Sequence, residues 1–370
     1  MRQLTVLTSL LVFVVLSSCA NTKTNDQSDV YHPVSIFDDN IHVHGANYIY
    51  QKDELLSFYR FSEEALALPQ HQSFFKADNA RTNSGIRLQF KTNSSKVKLV
   101  FEPQQGTNRS AEYAVLQDGV QVDTFAFNGN KSKQPMVLEF DNVYKGRATL
   151  FEIILPSMAN VALASMELMG ASELESFSKN EQAVYLAIGN SITHGVGQGS
   201  AAYKTYPYLL AKALNYDYYN LAVGGAKVSQ TIADMTAEMP KADLITILIG
   251  YNDLMFNGRT TAEYISVYSN YLKTIRMNHP KADIYCITLT HTRAIKSDKT
   301  GITPDEYRIA LKRFIYQLQS EGDKKLHVIE GDKITSEANL RPDFPTDKVH
   351  FGYRGAELFA KELYQIIKPK

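Results

Sequence analysis

The sequence predicts two domains of different class: an all-β sandwich with jelly-roll-like strand spacing, then an α/β domain on a parallel sheet. Three observations predict this. The chain has 370 residues, which at roughly 100–200 residues per domain suggests two. From about His42 to Met169, short alternating apolar runs are separated by turns rich in Gly, Asn and Ser, the rhythm of a sandwich. From Ala183 onward, buried-strand runs alternate with helical periodicity. That alternation calls for a parallel sheet with helices on both faces.

In the first half, "GIRLQFKT" and "KVKLVFEP" alternate apolar and polar residues as half-buried strands do. "AEYAVLQDGVQVDTFAF" places Asp118-Gly119 between two strand runs; that dipeptide favours a tight hairpin. "MVLEFDNV", "ATLFEIILP" and "VALASMELMG" continue the series, while "DELLSFYRFSEEALALP" reads as irregular or partly helical. A linker is expected near Ala171–Gln182. In the second half, "AVYLAIG", "YDYYNLAV", "ADLITILIG", "ADIYCITL" and "KLHVIEG" read as strands. Helices are expected between them, and a last one over "GYRGAELFAKELYQIIK". In "AYKTYPYLLAKALN" the residues Tyr206, Leu209, Leu210 and Ala213 share the expected buried face.

Lys+Arg and Asp+Glu both total 39, so there is no basic excess of the kind nucleic-acid binding uses. Arg2 precedes "LTVLTSLLVFVVLSS", Leu4–Ser18. This run is shorter than the ~20 apolar residues of a spanning helix and fits a secretory signal. It ends at Cys19, and "LSSC" resembles the lipobox of bacterial lipoproteins. The resemblance implies lipidation of Cys19 and an extracytoplasmic, lipid-anchored protein of the bacterial envelope. The expected organisation is a signal peptide over 1–18, a lipidated tether over 19–35, the sandwich over 36–172 and the α/β domain over 173–370. The second cysteine, Cys286, lies in an apolar run and reads as a small core hydrophobe.

"YLAIGNSITHGVG" stops an apolar strand at a small-residue turn carrying Ser191. A dinucleotide fingerprint fails, because Gly195, Gly197 and Gly199 are spaced by two. A phosphate-binding loop fails for lack of Gly-Lys-Ser/Thr. The G-x-S-x-G elbow fails at its second glycine, where Thr193 stands. A serine at such a turn can also serve as a helix N-cap.

"IGNSITHG" resembles the first block of the SGNH/GDSL hydrolases, and the resemblance continues in order. "NLAVGGA" resembles the second block, "IGYNDL" the third and "DKVH" the fifth. It covers Ala183–Lys370 and implies a flavodoxin-like sheet with the site at its carboxyl edge. It implies Ser191 as nucleophile, His350 as base and Asp347 as the acid that orients it. It also implies an oxyanion hole from the Ser191 and Gly225 N–H groups and the Asn252 amide. This chemistry is coherent, since a serine hydroxyl needs a neighbouring base and imidazole titrates near working pH. One such donor is typically worth about 3–4 kcal/mol to the transition state. Ser191 opens a helix, whose dipole would add to this. The family usually has Asp where Asn190 stands. Asn190 and His291 are expected as candidate substrate contacts. His194 reads as packing or capping, Met255 and Phe256 as an apolar lining or ordinary core. His42 and His44 read as structural, because no carboxylate or thiol cluster accompanies them; no metal or cofactor is expected.

The resulting expectation is a serine esterase removing short acyl groups, chiefly acetyl, from carbohydrate. The domain layout resembles bacterial two-domain carbohydrate esterases. Trp is absent, although 22 Tyr could stack on sugar. The alternatives are a lysophospholipase, thioesterase or arylesterase of the same superfamily, or a non-catalytic glycan-binding surface lipoprotein. Oligomeric state is left open.

Overall fold

The computed structural model describes residues 30–178 and 181–368. The signal-peptide stretch and Cys19 lie outside them. The first half is two packed antiparallel sheets of six strands each. One runs in the order Tyr48–Lys52, Leu55–Tyr59, Val161–Met169, Lys96–Pro103, Met136–Asp141, with Tyr31–Val34 also on Val161–Met169. The other runs Leu174–Glu175, Arg87–Thr92, Thr149–Ile154, Ser110–Gln117, Val120–Asn128, with His42–His44 also on Arg87–Thr92. Alternating residues from the facing sheets, among them Leu88, Phe90, Leu99, Phe101, Phe151 and Leu163, fill the space between. Phe90 stacks on Phe151 at 5.2 Å.

Two expected boundaries shift. Tyr31–Val34, placed in the tether, pairs antiparallel with Met166–Met169. Leu174–Glu175, placed beyond the sandwich, pairs with Thr92 and Lys91. In both cases the gain is backbone hydrogen bonding along an open sheet edge, which composition does not advertise. The stretch "DELLSFYRFSEEALALP" is half strand. Asp53 and Glu54 both take positive φ, 50° and 63°, and turn Tyr48–Lys52 back onto Leu55–Tyr59. The helix Glu63–Ala67 follows, capped by the Ser62 hydroxyl on the Ala65 N–H. The Asp118-Gly119 turn adopts φ of 48° and 80° and closes Gln117 onto Val120. These values suit the mirror-image turns of hairpins.

The second half is a five-stranded parallel sheet flanked by helices. Its order is Asp217–Asn220, Val184–Gly189, Leu244–Leu248, Asp283–Ile287, Leu326–Ile329, so the chain order reads 2-1-3-4-5. This is the flavodoxin-like order, with its switch point between the first and third strands. The long helices Thr261–Asn278 and Pro304–Ser320 each begin with a capping box, from Thr260 with Glu263 and Thr303 with Glu306. In the helix Tyr206–Leu214, Tyr206 and Leu210 are buried and Leu209 half-buried. Ala213 is exposed instead, since Ala211 takes the core position beside Leu210.

The two halves share one apolar core. Phe61, Leu66, Phe75, Leu116 and Ile154 of the first half pack with the α/β residues. Arg60 is a buried strut between them. Its Nε donates to the Thr82 carbonyl at 2.8 Å, and one terminal nitrogen donates to the Asn220 and Ala222 carbonyls at 2.8 and 2.7 Å. Among the described residues, no helix is long and apolar enough to cross a membrane.

Candidate active site

Three loops leave the carboxyl ends of the first three α/β strands and meet at the switch point, where an open sheet binds ligands. The first begins at Gly189. A Cβ there would lie 2.2 Å from the Thr193 hydroxyl and 2.7 Å from the Leu248 carbonyl oxygen, so only glycine lets the chain turn this tightly. Asn190 then caps the turn Ser191–His194, its Oδ1 accepting the Ile192 N–H at 3.3 Å. The helix opened by Ser191 is a single turn. Its dipole is therefore small, and any anion stabilisation here must come from local N–H groups.

Ser191 Oγ lies 2.7 Å from His350 Nε2. His350 Nδ1 lies 2.8 and 3.0 Å from the two Asp347 oxygens. With Nδ1–H donating to the carboxylate, Nε2 is left as the acceptor of the serine proton. Asp347 also receives the Val349 and His350 backbone N–H groups, each at 3.1 Å. Burial pushes its carboxyl up, but these bonds and the imidazole outweigh it and hold it below the ordinary carboxylate range. Asp347 thus stays charged wherever His350 can act as a base.

The second loop, Gly224–Val228, is held on several sides. Asn252 Nδ2 donates to the Ala226 carbonyl at 2.8 Å. The buried Asp253 accepts the Val228 N–H at 3.2 Å and pairs with Arg259. Burial pushes the Asp253 carboxyl up to about 6, with Arg259 and Val228 pulling the other way. His194 Nδ1 accepts the Gly224 N–H at 2.9 Å. Burial drives His194 well below its ordinary pKa, assisted by Arg60, so the ring is neutral. Its Nε2–H then donates to the Thr82 hydroxyl at 2.7 Å. Asn79 Nδ2 donates to the Gly224 carbonyl at 2.8 Å.

Gly225 has φ of 85° and no atom within 4 Å of where a Cβ would stand. Among the described residues, neither its N–H nor that of Ser191 has a protein acceptor. Asn252 keeps one amide hydrogen beyond its bond to Ala226. Ser191, Gly225, Asn252 and His350 all line one open cleft of about 240 Å³. The geometry can therefore activate a hydroxyl and receive an oxyanion beside it.

Not every expected residue joins the cleft. Asn190 is buried, does not line the cleft and spends its side-chain oxygen on its own turn, so it acts as a cap. His291 does not line the cleft: its Nε2 lies 3.3 Å from Glu337, and its N–H donates to the Thr335 hydroxyl at 2.8 Å. Phe256 lines the cleft with its ring largely exposed, while Met255 packs against the core. Cys286 is fully buried, and burial pushes its thiol up to about 12, which leaves it inert. Four lining residues come from the sandwich half and escape the motif reading: Lys76, Asn79, Arg109 and Met158. No local pattern marks them.

Residues 187–358 match the model of the GDSL-like lipase/acylhydrolase family. That stretch, just under half of the chain, is similar to a GDSL-like lipase/acylhydrolase domain. Solved structures of similar fold extend the likeness over both halves of the molecule. A salicylyl-acyltransferase, SsfX3, from a tetracycline biosynthetic pathway is 22% identical, with 90% of this chain and 96% of that chain covered at a TM-score of 0.77. A family two carbohydrate esterase from Clostridium thermocellum, in complex with cellohexaose, is 16% identical, with 88% and 98% covered at 0.64. The acetyl xylan esterase Est2A from Butyrivibrio proteoclasticus is 15% identical, with 91% and 98% covered at 0.60. No curated protein sequence matches the chain. The GDSL-like domain carries the four blocks in one cleft, with Asn190 in place of the usual acid. Asn190→Asp keeps the oxygen that caps Ile192. Activity is expected to stay within roughly tenfold of wild type, about 1.4 kcal/mol in barrier; steady-state kinetics on one acetyl ester checks it.

Proposed function

We infer that this GDSL-like protein is a serine esterase that hydrolyses short acyl esters, chiefly acetyl, on carbohydrate. Ser191 attacks the ester carbonyl, His350 takes the serine proton and returns it to the leaving alcohol, and Asp347 holds the imidazolium. Water then enters through the open cleft and releases the acid by the same proton route. The Ser191 and Gly225 N–H groups and the Asn252 amide receive the carbonyl oxygen as it becomes negative. The observation that carries this reading is the unbroken Asp347–His350–Ser191 hydrogen-bonded chain opening on a cleft.

A short acyl group follows from the lining. Met158, Val196 and Phe256 are its large apolar side chains. They form a short apolar lining, and the adjoining cavity past Arg109 carries the charged Arg341 and Asp343; each buried CH₂ would be worth about 0.8 kcal/mol to an enzyme with a long apolar groove. Carbohydrate as the alcohol is supported by the fold shared with the carbohydrate esterases. Acetyl, butyryl and octanoyl esters of one sugar should therefore show falling kcat/KM. A rise with chain length would favour a lipid-directed enzyme instead. Release of acetate, with covalent labelling of Ser191 by a fluorophosphonate, separates an esterase from a glycan-binding protein.

The lipobox-like "LSSC" supports a lipid-anchored protein of the bacterial envelope. A multi-acyl anchor holds stably where a single chain does not, so Cys19→Ser should move the protein from the membrane to the soluble fraction. Membrane fractionation and mass measurement of the mature N-terminus check this.

A further inference from the structure

Among the described residues, the charged side chains lining the cleft beside the base His350 are two cations, Lys76 and Arg109, and no carboxylate lines it. Neither cation has an ion-pair or side-chain hydrogen-bond partner among the described residues. Several nearby cations are compensated, Arg341 by Asp343 at 2.5 Å, Lys204 by Glu112 at 2.7 Å, Arg81 by Asp78 at 3.2 Å, and Arg259 by Asp253; Lys227 of the oxyanion loop lies outside the cleft lining. A chain with as many acids as bases thus leaves two positive charges unpaired at its reactive serine.

Both cations stand on backbone tied to the oxyanion loop. Lys76 precedes the helix Ala77–Ala80, where Asn79 grips the Gly224 carbonyl and Arg60 donates to the Ala80 carbonyl at 3.1 Å. The Arg109 N–H donates to the Met158 carbonyl at 3.2 Å, and two residues earlier the Thr107 hydroxyl donates to Asn79 Oδ1 at 2.6 Å. The charges are therefore supplied by the sandwich half and carried on supports fixed to the catalytic half. Beyond Arg109 the space continues. A second cavity of about 440 Å³ shares Arg109, Met158 and Val196 with the cleft and reaches Arg341 and Tyr353. Its one acid, Asp343, is neutralised by Arg341.

We propose that Lys76 and Arg109 select an anionic alcohol moiety, so that the substrate is an acetylated glycan carrying carboxylates or sulfates. This rests on the serine-esterase reading. A short acyl group has no charge, so the negative group must sit on the sugar that bears the ester or on its neighbour in the second cavity. Arg109, at the junction of the two cavities, faces either position.

The test uses the full-length protein and acetylated polygalacturonate, compared with the same polymer methyl-esterified to remove its charge. Acetate release gives kcat/KM for each. With about fivefold gained per charge contact, the free-acid polymer should be preferred about 25-fold at low salt. K76Q and R109Q should each lower that ratio about fivefold, and K76Q/R109Q should erase it. Added 0.5 M NaCl should weaken the wild-type preference, because exposed charges are screened over ~10 Å or less at 0.1 M and above. An acetylated sulfated galactan as a third arm shows whether sulfate serves as well as carboxylate; preference for either over the neutral polymer supports the proposal. Equal rates on charged and neutral polymers, or a preference unchanged in K76Q/R109Q, overturns it. So does faster hydrolysis of lysophosphatidylglycerol than of every acetylated glycan. Failure of the esterase reading looks different: 4-nitrophenyl acetate would then show no Ser191-dependent turnover at all.

Discussion

Ser191→Ala protein is expected to fold normally and to lose ester hydrolysis by on the order of a million-fold, as when a triad nucleophile is removed elsewhere. The loss follows from geometry. Ser191 Oγ is the atom 2.7 Å from His350 Nε2, and among the described residues no other hydroxyl is bonded to that ring. Stability should change by about 1 kcal/mol or less, because the hydroxyl faces an open cleft and fills no core space. His350→Ala should fall nearly as far, since nucleophile and base act as a unit and losing either removes most of the gain. Turnover of 4-nitrophenyl acetate, normalised to protein and checked by fluorophosphonate labelling, reads both effects. Wild-type-like turnover by folded Ser191→Ala protein would end the proposed mechanism.

The motifs of the cleft are legible because each sits either at the end of a strand, in a short turn, or just before the last helix. Gly189, Gly225, Asn252 and the Asp347–His350 spacing are local constraints, and local constraints leave local patterns. The hairpin at Asp118-Gly119 was readable for the same reason, glycine supplying the positive φ. The one at Asp53-Glu54 was not, because two acidic residues occupy left-handed conformations that their identities do not announce. Helix Tyr206–Leu214 buried Ala211 rather than Ala213, a choice made by the facing sheet. Asn190 and His291 read as candidate contacts because one adjoins Ser191 and the other follows a strand, yet one caps its own helix and the other reaches Glu337. The contribution of Lys76, Asn79 and Arg109 had no signature at all. Asn79 meets Gly224 across 145 residues of sequence, and such a meeting exists only once two domains dock.

That docking predicts the second large effect: Arg60→Met should destabilise the protein by about 3–5 kcal/mol and loosen the oxyanion loop. Arg60 is fully buried, and burial lowers its pKa to about 9, so it remains charged at neutral pH. Among the described residues no carboxylate pairs with it. Its charge is met instead by carbonyl oxygens of Thr82, Asn220, Ala222, Asn79 and Ala80, at 2.7–3.3 Å. Methionine would fill part of the space but withdraw a donor from each of those oxygens, of which the Asn79 carbonyl keeps the Thr82 hydroxyl at 3.0 Å. Each buried unsatisfied group costs about 1–3 kcal/mol, and relaxation of the loop recovers part of the sum. The Asn220 and Ala222 carbonyls lead into Gly224-Gly225, while Thr82 and Asn79 hold His194 and the Gly224 carbonyl. Loss of Arg60 therefore reaches the oxyanion donors without touching substrate. The surviving folded enzyme should show kcat lowered about tenfold or more, with KM little changed, because donors aimed at the transition state are misplaced while the cleft persists. Arg60→Lys keeps a charge and three donors and should recover part of both losses. Denaturant midpoints, with kcat corrected by active-site titration, measure the two effects separately. An unchanged midpoint in Arg60→Met would show that the strut carries no stability. A lowered midpoint with wild-type kcat would show that it braces the fold without positioning the loop.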